Sequence, residues 1–163
     1  MFEQRFLRSP QSAATPPPTP ILGAGVKLGY QPADGTGTVT WLAEVVDLTP
    51  GEESVSKVEV TNHDTSTRRI QNIAGFIEVG DTTADLMYNT ADAGTIRTIL
   101  EARANKQWTI RFPDGITSSA TGSTLVFVGF LTKAGHTVPL KTQMLTKVEI
   151  CAADGTVVFT PAT

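Results

Sequence analysis

Residues branched at Cβ dominate this chain: 25 threonines, 14 valines and 9 isoleucines make up 48 of its 163 residues. Two heavy atoms on Cβ stiffen χ1 and crowd a helix, whereas the pleated surface of a strand accommodates them. Fourteen glycines and ten prolines interrupt these residues, so the strands must be numerous and mostly short. A mostly-β chain is therefore expected before any segment is assigned. Its length suits one domain that can bury a core without staples.

Composition excludes several classes of function. Thirteen basic against 16 acidic side chains give a net charge of −3, the wrong balance for a protein held on nucleic acid by phosphate neutralisation. A single cysteine, Cys151, excludes both an intramolecular disulfide framework and a cysteine-based zinc cage. No stretch approaches the roughly eighteen apolar residues of a membrane helix. Phe2, Phe6 and Leu7 are the apolar residues that precede a polar, proline-rich stretch, which is not the core of a secretory signal. A soluble protein made in a cytoplasm is the expectation.

Five of the ten prolines fall within residues 10–20, where they forbid a helix or a central strand and favour extended chain. Residues 1–22 read either as a disordered tail or as an arm whose apolar hook at Phe2, Phe6 and Leu7 docks on a neighbouring subunit, and residues 23–163 as the β domain. Strands are predicted over 26–30 and 39–48. In the second, Val39, Trp41, Ala43 and Val45 alternate with Thr40, Leu42, Glu44 and Val46. Residues 49–53 (Thr-Pro-Gly-Glu-Glu) read as a turn or longer loop. Strands follow over 56–61, 70–79 and 84–88, with a polar loop at 62–69. One helix is predicted at about 92–104. Asp92 or Thr90 can cap it, Ile96, Ile99 and Leu100 form its apolar stripe, and Arg97 can pair with Glu101. So short a helix needs a sheet to pack on. Four strands close the chain at 107–112, 124–131, 145–151 and 156–159. Residues 113–123 and 132–142 read as long polar loops, and Asp154-Gly155 as a hairpin turn.

Little in the chain suggests catalysis. His63 and His136 lie in polar segments with no second ligand at metal spacing. Cys151 ends an alternating strand, the setting of a structural thiol more than a nucleophile. The stretch GAGVKLG at 23–29 matches neither glycine-rich phosphate-loop spacing, and no helix-forming run follows it. No catalytic residue, metal or cofactor is expected. Charge is more informative. Residues 44–85 hold nine acidic side chains against Lys57, Arg68 and Arg69, a net of −6, while the rest of the chain carries +3. Such a concentration is either a solvated outer face or a surface kept negative so that an anionic polymer slides past it.

The order of these segments, WLAEVVDLTPGE at 41–52, VEVTNHDTS at 58–66, AGFIEVGD at 74–81, the helix, QWTIRFPDG at 107–115 and LVFVGFL at 125–131, resembles the major tail tube protein of long, non-contractile-tailed bacteriophages. The resemblance spans roughly residues 25–160. It implies a β-sandwich or barrel with one flanking helix, assembled as hexameric rings that stack into a virion tail tube for DNA ejection. It also implies a tape-measure protein, a tail terminator and distal tail proteins as partners, with DNA passing the lumen unread and no membrane involved. Glu59, Glu78, Asp81 and Asp85 are the expected lumen-facing carboxylates. Ring-to-ring contacts are expected from Phe2, Phe6, Leu7, Thr49, Pro50, Glu52 and Glu53. Two other readings compete. A tube subunit of a contractile tail or type VI secretion system shares the fold, and a carbohydrate- or host-binding β-sandwich on a virion surface would present aromatic side chains on its loops.

Overall fold

A computed structural model of the chain describes residues 25–60, 72–114 and 122–162. The β-branched runs pair as antiparallel strands: β1 (Lys27–Pro32), β2 (Thr40–Trp41), β3 (Val45–Thr49), β4 (Glu53–Glu59), β5 (Asn72–Val79), β6 (Thr82–Met87), β7 (Lys106–Arg111), β8 (Thr124–Thr137) and β9 (Leu145–Thr160). A single helix, α1 (Thr90–Ala102), lies between β6 and β7. Seven strands form one sheet in the order β2-β1-β7-β8-β9-β6-β3, and β4 and β5 pair separately.

The expected strand at 39–48 is in fact two strands at opposite edges of the large sheet. Leu42 N–H donates to the Leu28 carbonyl on one side, 2.9 Å, and the Glu44 carbonyl accepts from Met87 N–H on the other, 2.8 Å. The alternating side chains are real, but the backbone changes partner between them. This crossing fixes the architecture. A flat seven-stranded sheet spans roughly 29 Å at the usual strand spacing, whereas the four peptide units from Trp41 to Val45 reach at most about 15 Å. The sheet must therefore curl until its edges nearly meet, giving an open, sandwich-like shape and not a closed barrel.

Long β8 and β9 run through both halves of this curl. Two further expectations fail here. The segment 132–142 is not one loop: β8 continues to Thr137, with Ala134 opposite Val148 and His136 opposite Thr146, and the bulge between Leu131 and Lys133 breaks the alternation that would have revealed it. Asp154-Gly155 does not reverse the chain either. Phe127 pairs with Val157 and Gly129 with Ala152, so both parts of β9 run the same way along β8. Gly155 at φ +67° and the Asp154 carboxylate accepting from Thr156 N–H, 3.0 Å, build a bulge that keeps the strand's direction. The segments around residues 62–69 and 115–121 lie outside the described residues.

The curl encloses the core. Leu28, Leu86, Ile96, Trp108, Ile110 and Ile150 are fully buried, with Phe127, Leu131 and Val148 beside them. Strand alternation produces this directly: Thr82, Ala84 and Leu86 point inward and Thr83, Asp85 and Met87 outward. Helix α1 contributes Ile96 and Ile99. Its N-cap is Asn89, and neither of the expected Asp92 and Thr90, at φ −133° with its side chain accepting from Ala91 N–H, 3.1 Å. The expected Arg97–Glu101 pair forms at 2.9 Å. Asn89→Ala should leave an N-terminal N–H unpaired and cost about 1 kcal/mol. A thermal melt read by circular dichroism should fall by roughly 2–4 °C in a domain of this size.

Candidate assembly and channel surfaces

Inward alternation on one side of β3, β6, β9 and the C-terminal half of β8 leaves the other side polar. Two cross-strand rows follow from the register. In one, Asp47 faces Asp85, Asp85 faces Lys147, and Lys147 faces Gly135. In the other, Thr49 faces Thr83, Thr83 faces Glu149, and Glu149 faces Lys133. Lys147 Nζ lies 3.0 Å from Asp85 Oδ2, and Lys133 Nζ donates to both Glu149 oxygens at 3.0 and 2.8 Å. The Glu149 hydrogen bond first, and its charge second, raise the Lys133 pKa. Asp81 stands at the end of this face, close enough to bear on both Lys133 and the Cys151 thiol. Exposed ion pairs contribute little to stability, about 0–1 kcal/mol each. A four-stranded face of such residues is thus a surface property more than a folding device.

Among the described residues both lateral edges of this face are open. β3 is the last strand of the sheet. At the other side β7 pairs with β8 only over residues 124–129. Among the described residues, then, no strand covers the far side of β8 from residue 130 to 137.

The second surface is the β4–β5 hairpin. Val55 faces Ile77 and Val58 faces Ile73, so apolar residues occupy both sides of a two-stranded ribbon. Phe76 is 85% exposed and Ile77 64%. An isolated two-stranded ribbon is marginal in water, and large exposed apolar residues clustered with unpaired edges mark an interaction surface. Its root is rigid: a Cβ on Gly51 would collide with the Gly80 carbonyl, Gly80 N–H donates to the Glu52 carbonyl at 2.9 Å, and Gly51 N–H to the Thr82 hydroxyl at 3.0 Å.

Among the described residues no group of three His, Cys, Asp or Glu could hold a metal. His136 meets the Thr146 hydroxyl at 3.2 Å and the edge of Tyr88, while His63 lies outside the described residues. Burial first, and Asp81 second, push the Cys151 thiol's pKa up, away from the range of an activated thiolate. Trp108 is buried, and Tyr30 packs against it with ring centroids 5.9 Å apart, so these aromatics do not form a sugar-binding platform on loops.

The family model of the lambda phage tail tube protein, TTP, matches residues 30–158. The chain belongs to the lambda phage tail tube protein family. No curated protein matches the sequence, but solved structures share the fold. The tail of an empty gene transfer agent particle, refined with C6 symmetry, has a TM-score of 0.61 at 14% identity over 82% of this chain and 95% of that one. The SPP1 tail tube gives 0.59 at 12% identity over 87% and 80%. A chain of the anti-feeding prophage baseplate gives 0.65 at 8% identity over 88% and 97%. The chain is thus a structural tube subunit, as its segment order suggests.

Within this tail tube fold the expected site residues separate. Asp85 and Asp81 lie on or beside the polar face, whereas Glu59 and Glu78 belong to the hairpin, facing Asn72 and Ser54. Thr49 closes β3, and Pro50, Glu52 and Glu53 form the hairpin root. The supposed loop around them shrinks to residues 50–52, because β4 already begins at Glu53. Phe2, Phe6 and Leu7 lie outside the described residues. Asp47, Lys133, Lys147 and Glu149 were missed, although the alternation of Lys147 and Glu149 with Thr146, Val148 and Ile150 signals their outward position.

Proposed function

We propose that six copies close into a ring and that rings stack into a tail tube through which DNA is ejected. The open edge of β3 in one subunit meets the open edge of β8 in the next, a head-to-tail contact that closes on itself. The polar face of β3, β6, β9 and β8 then becomes the channel wall, and the β4–β5 hairpin reaches a neighbouring ring. What carries this reading is the conjunction of a polar four-stranded face with an unpaired edge on each side, in a chain of the tail tube family. The sixfold symmetry of the gene transfer agent tail supports the stoichiometry. A wall holding Asp47, Asp81, Asp85 and Glu149 against Lys133 and Lys147 is net negative in every subunit. It repels phosphates, where a basic wall would hold them through counterion release. A tape-measure protein in the lumen, a terminator and distal tail proteins are its partners, and the subunit itself performs no catalysis.

The combined substitution Asp47→Lys, Asp81→Lys and Asp85→Lys should leave tubes assembling and slow DNA ejection by about tenfold or more at low salt, with recovery as salt rises. Fluorescence of a DNA dye during triggered ejection reads the rate. Ejection at the unsubstituted rate from such tubes would remove this face from the channel.

A further inference from the structure

Across the core from the polar face, the other half of the curl presents a different chemistry to solvent. Leu28, Trp108, Ile110 and Phe127 of β1, β7 and β8 point inward, so their neighbours along each strand point outward. One cross-strand row on that outer side reads Lys27, Arg111, Thr124 and Thr160, each facing the next. Two cations therefore stand directly opposite each other, about 5 Å apart at Cβ, and an anion between them would relieve their repulsion. Among the described residues neither has a carboxylate at ion-pair distance. Asp114, three residues beyond Arg111, instead takes hydrogen bonds from the N–H and hydroxyl of Ser123. Arg111 Nε is buried and has no hydrogen-bond partner, a state that calls for an acceptor. Nε–H and a neighbouring guanidinium N–H form the fork that grips a carboxylate or phosphate through two parallel bonds. Rotating the guanidinium toward an anion on this face gives Nε–H its acceptor.

Trp41 stands beside this row. It pairs with Gly29, two residues along β1 from Lys27 and on the same outer side, and is 37% exposed. Glycine makes room for it: a Cβ at Gly29 would lie 2.8 Å from Trp41 Cε3 and 2.5 Å from Val39 Cγ1. In the row beyond, Gln31 Nε2–H donates to Gln107 Oε1. Strand spacing and rise place Trp41 roughly 12 Å from Arg111, a separation that a short oligosaccharide bridges. An indole packs its face on the C–H groups of a sugar ring, while a guanidinium and an ammonium take the sugar's acid group. An acidic protein segment would use the cations and leave Trp41 idle, and nucleic acid calls for a longer run of cations than this pair.

We propose that this outer face binds an anionic polysaccharide. Lys27 and Arg111 hold its acid group, Thr124 and Thr160 hydrogen-bond beside them, and Trp41 packs on a sugar ring. The inference goes beyond the tube reading and does not require it, because a free subunit carries the same residues. In a tube, this face points away from the channel wall on the opposite side of the core, so every ring repeats the site around its exterior and binding gains from multivalency.

Surface plasmon resonance of the full chain at low salt tests it, over immobilised alginate (carboxylate), phosphomannan (phosphate), dextran (a neutral sugar), polyglutamate (an anion without sugar) and a single-stranded DNA oligomer. Alginate or phosphomannan should bind about tenfold more tightly than the other three, and the tighter of the two identifies the acid group. Lys27→Gln with Arg111→Gln should weaken that binding about tenfold. Lys27→Glu alone, at an exposed position, should weaken it about fivefold and serves where the double variant does not fold. Trp41→Ala should weaken polysaccharide binding about fivefold and leave polyglutamate binding unchanged, with circular dichroism showing each variant folded. Equal binding to polyglutamate with no effect of Trp41→Ala would overturn the polysaccharide in favour of an acidic protein partner. Tightest binding to the DNA oligomer would overturn it in favour of nucleic acid. No binding to any charged surface would overturn the site itself. Binding by free subunits that is lost in tubes would overturn the exterior placement, whereas a failure to form tubes bears on the tube reading alone.

Discussion

Phe76→Asp combined with Ile77→Asp should yield a chain that folds normally and forms no tubes. Both side chains face solvent, 85% and 64% exposed, on a ribbon separate from the main sheet, so the subunit's own stability should move by no more than about 0.5 kcal/mol. Assembly depends on them differently. Burying a large apolar side chain against a neighbour contributes about 1.5–3 kcal/mol, and each substitution replaces that gain with the cost of desolvating a carboxylate. Repeated at every subunit of a ring, the loss should abolish stacking at any accessible concentration. Light scattering and negative-stain microscopy read the assembly, and a thermal melt reads the fold. Tubes of normal length from the double variant would mean that the hairpin is not the contact.

Trp108→Ala should produce the largest loss of stability available from one side chain. Trp108 is fully buried, at the centre of the curl, and its Nε1–H donates to the Gly129 carbonyl at 3.1 Å. Removing a buried indole costs about 3–5 kcal/mol through lost transfer and the cavity left behind. The orphaned carbonyl adds roughly 1–3 kcal/mol. Against a total of about 5–15 kcal/mol for a natural domain, most of the stability goes. Urea unfolding followed by circular dichroism should show the midpoint shifted far toward zero denaturant. Trp108→Phe, which keeps most of the volume and loses only the donor, should lie between the two. A midpoint unchanged in the alanine variant would place the core elsewhere.

How much of this was legible in the sequence depended on whether the determining interaction was local. β-branched runs and period-two alternation located most strands, and the i, i+3, i+4 spacing of Ile96, Ile99 and Leu100 located the helix. Both signals are carried by neighbouring residues. The split at residues 42–44 was hidden because it is decided by partners far along the chain, Leu28 and Met87. Asp154-Gly155 misled for a related reason: the dipeptide favours positive φ at the glycine, and a bulge uses that as readily as a turn. The polar C-terminal part of β8 looked like a loop because one of its faces carries Lys133 and Gly135 instead of apolar residues. That same face contributes to the surface proposed as the channel wall. Of the four carboxylates expected together, Glu59 and Glu78 went to the hairpin, since acidity along the sequence does not specify which sheet a strand joins.

The most direct test of the account is a helical reconstruction by electron cryomicroscopy of tubes assembled from the purified full-length chain. Sixfold rings are expected, in which β3 of one subunit borders residues 130–137 of the next, with Asp47, Asp85, Lys147 and Glu149 facing a hollow lumen. A chain that stays monomeric at high concentration with tail initiators supplied, or tubes with these four side chains on the outer surface, would contradict it.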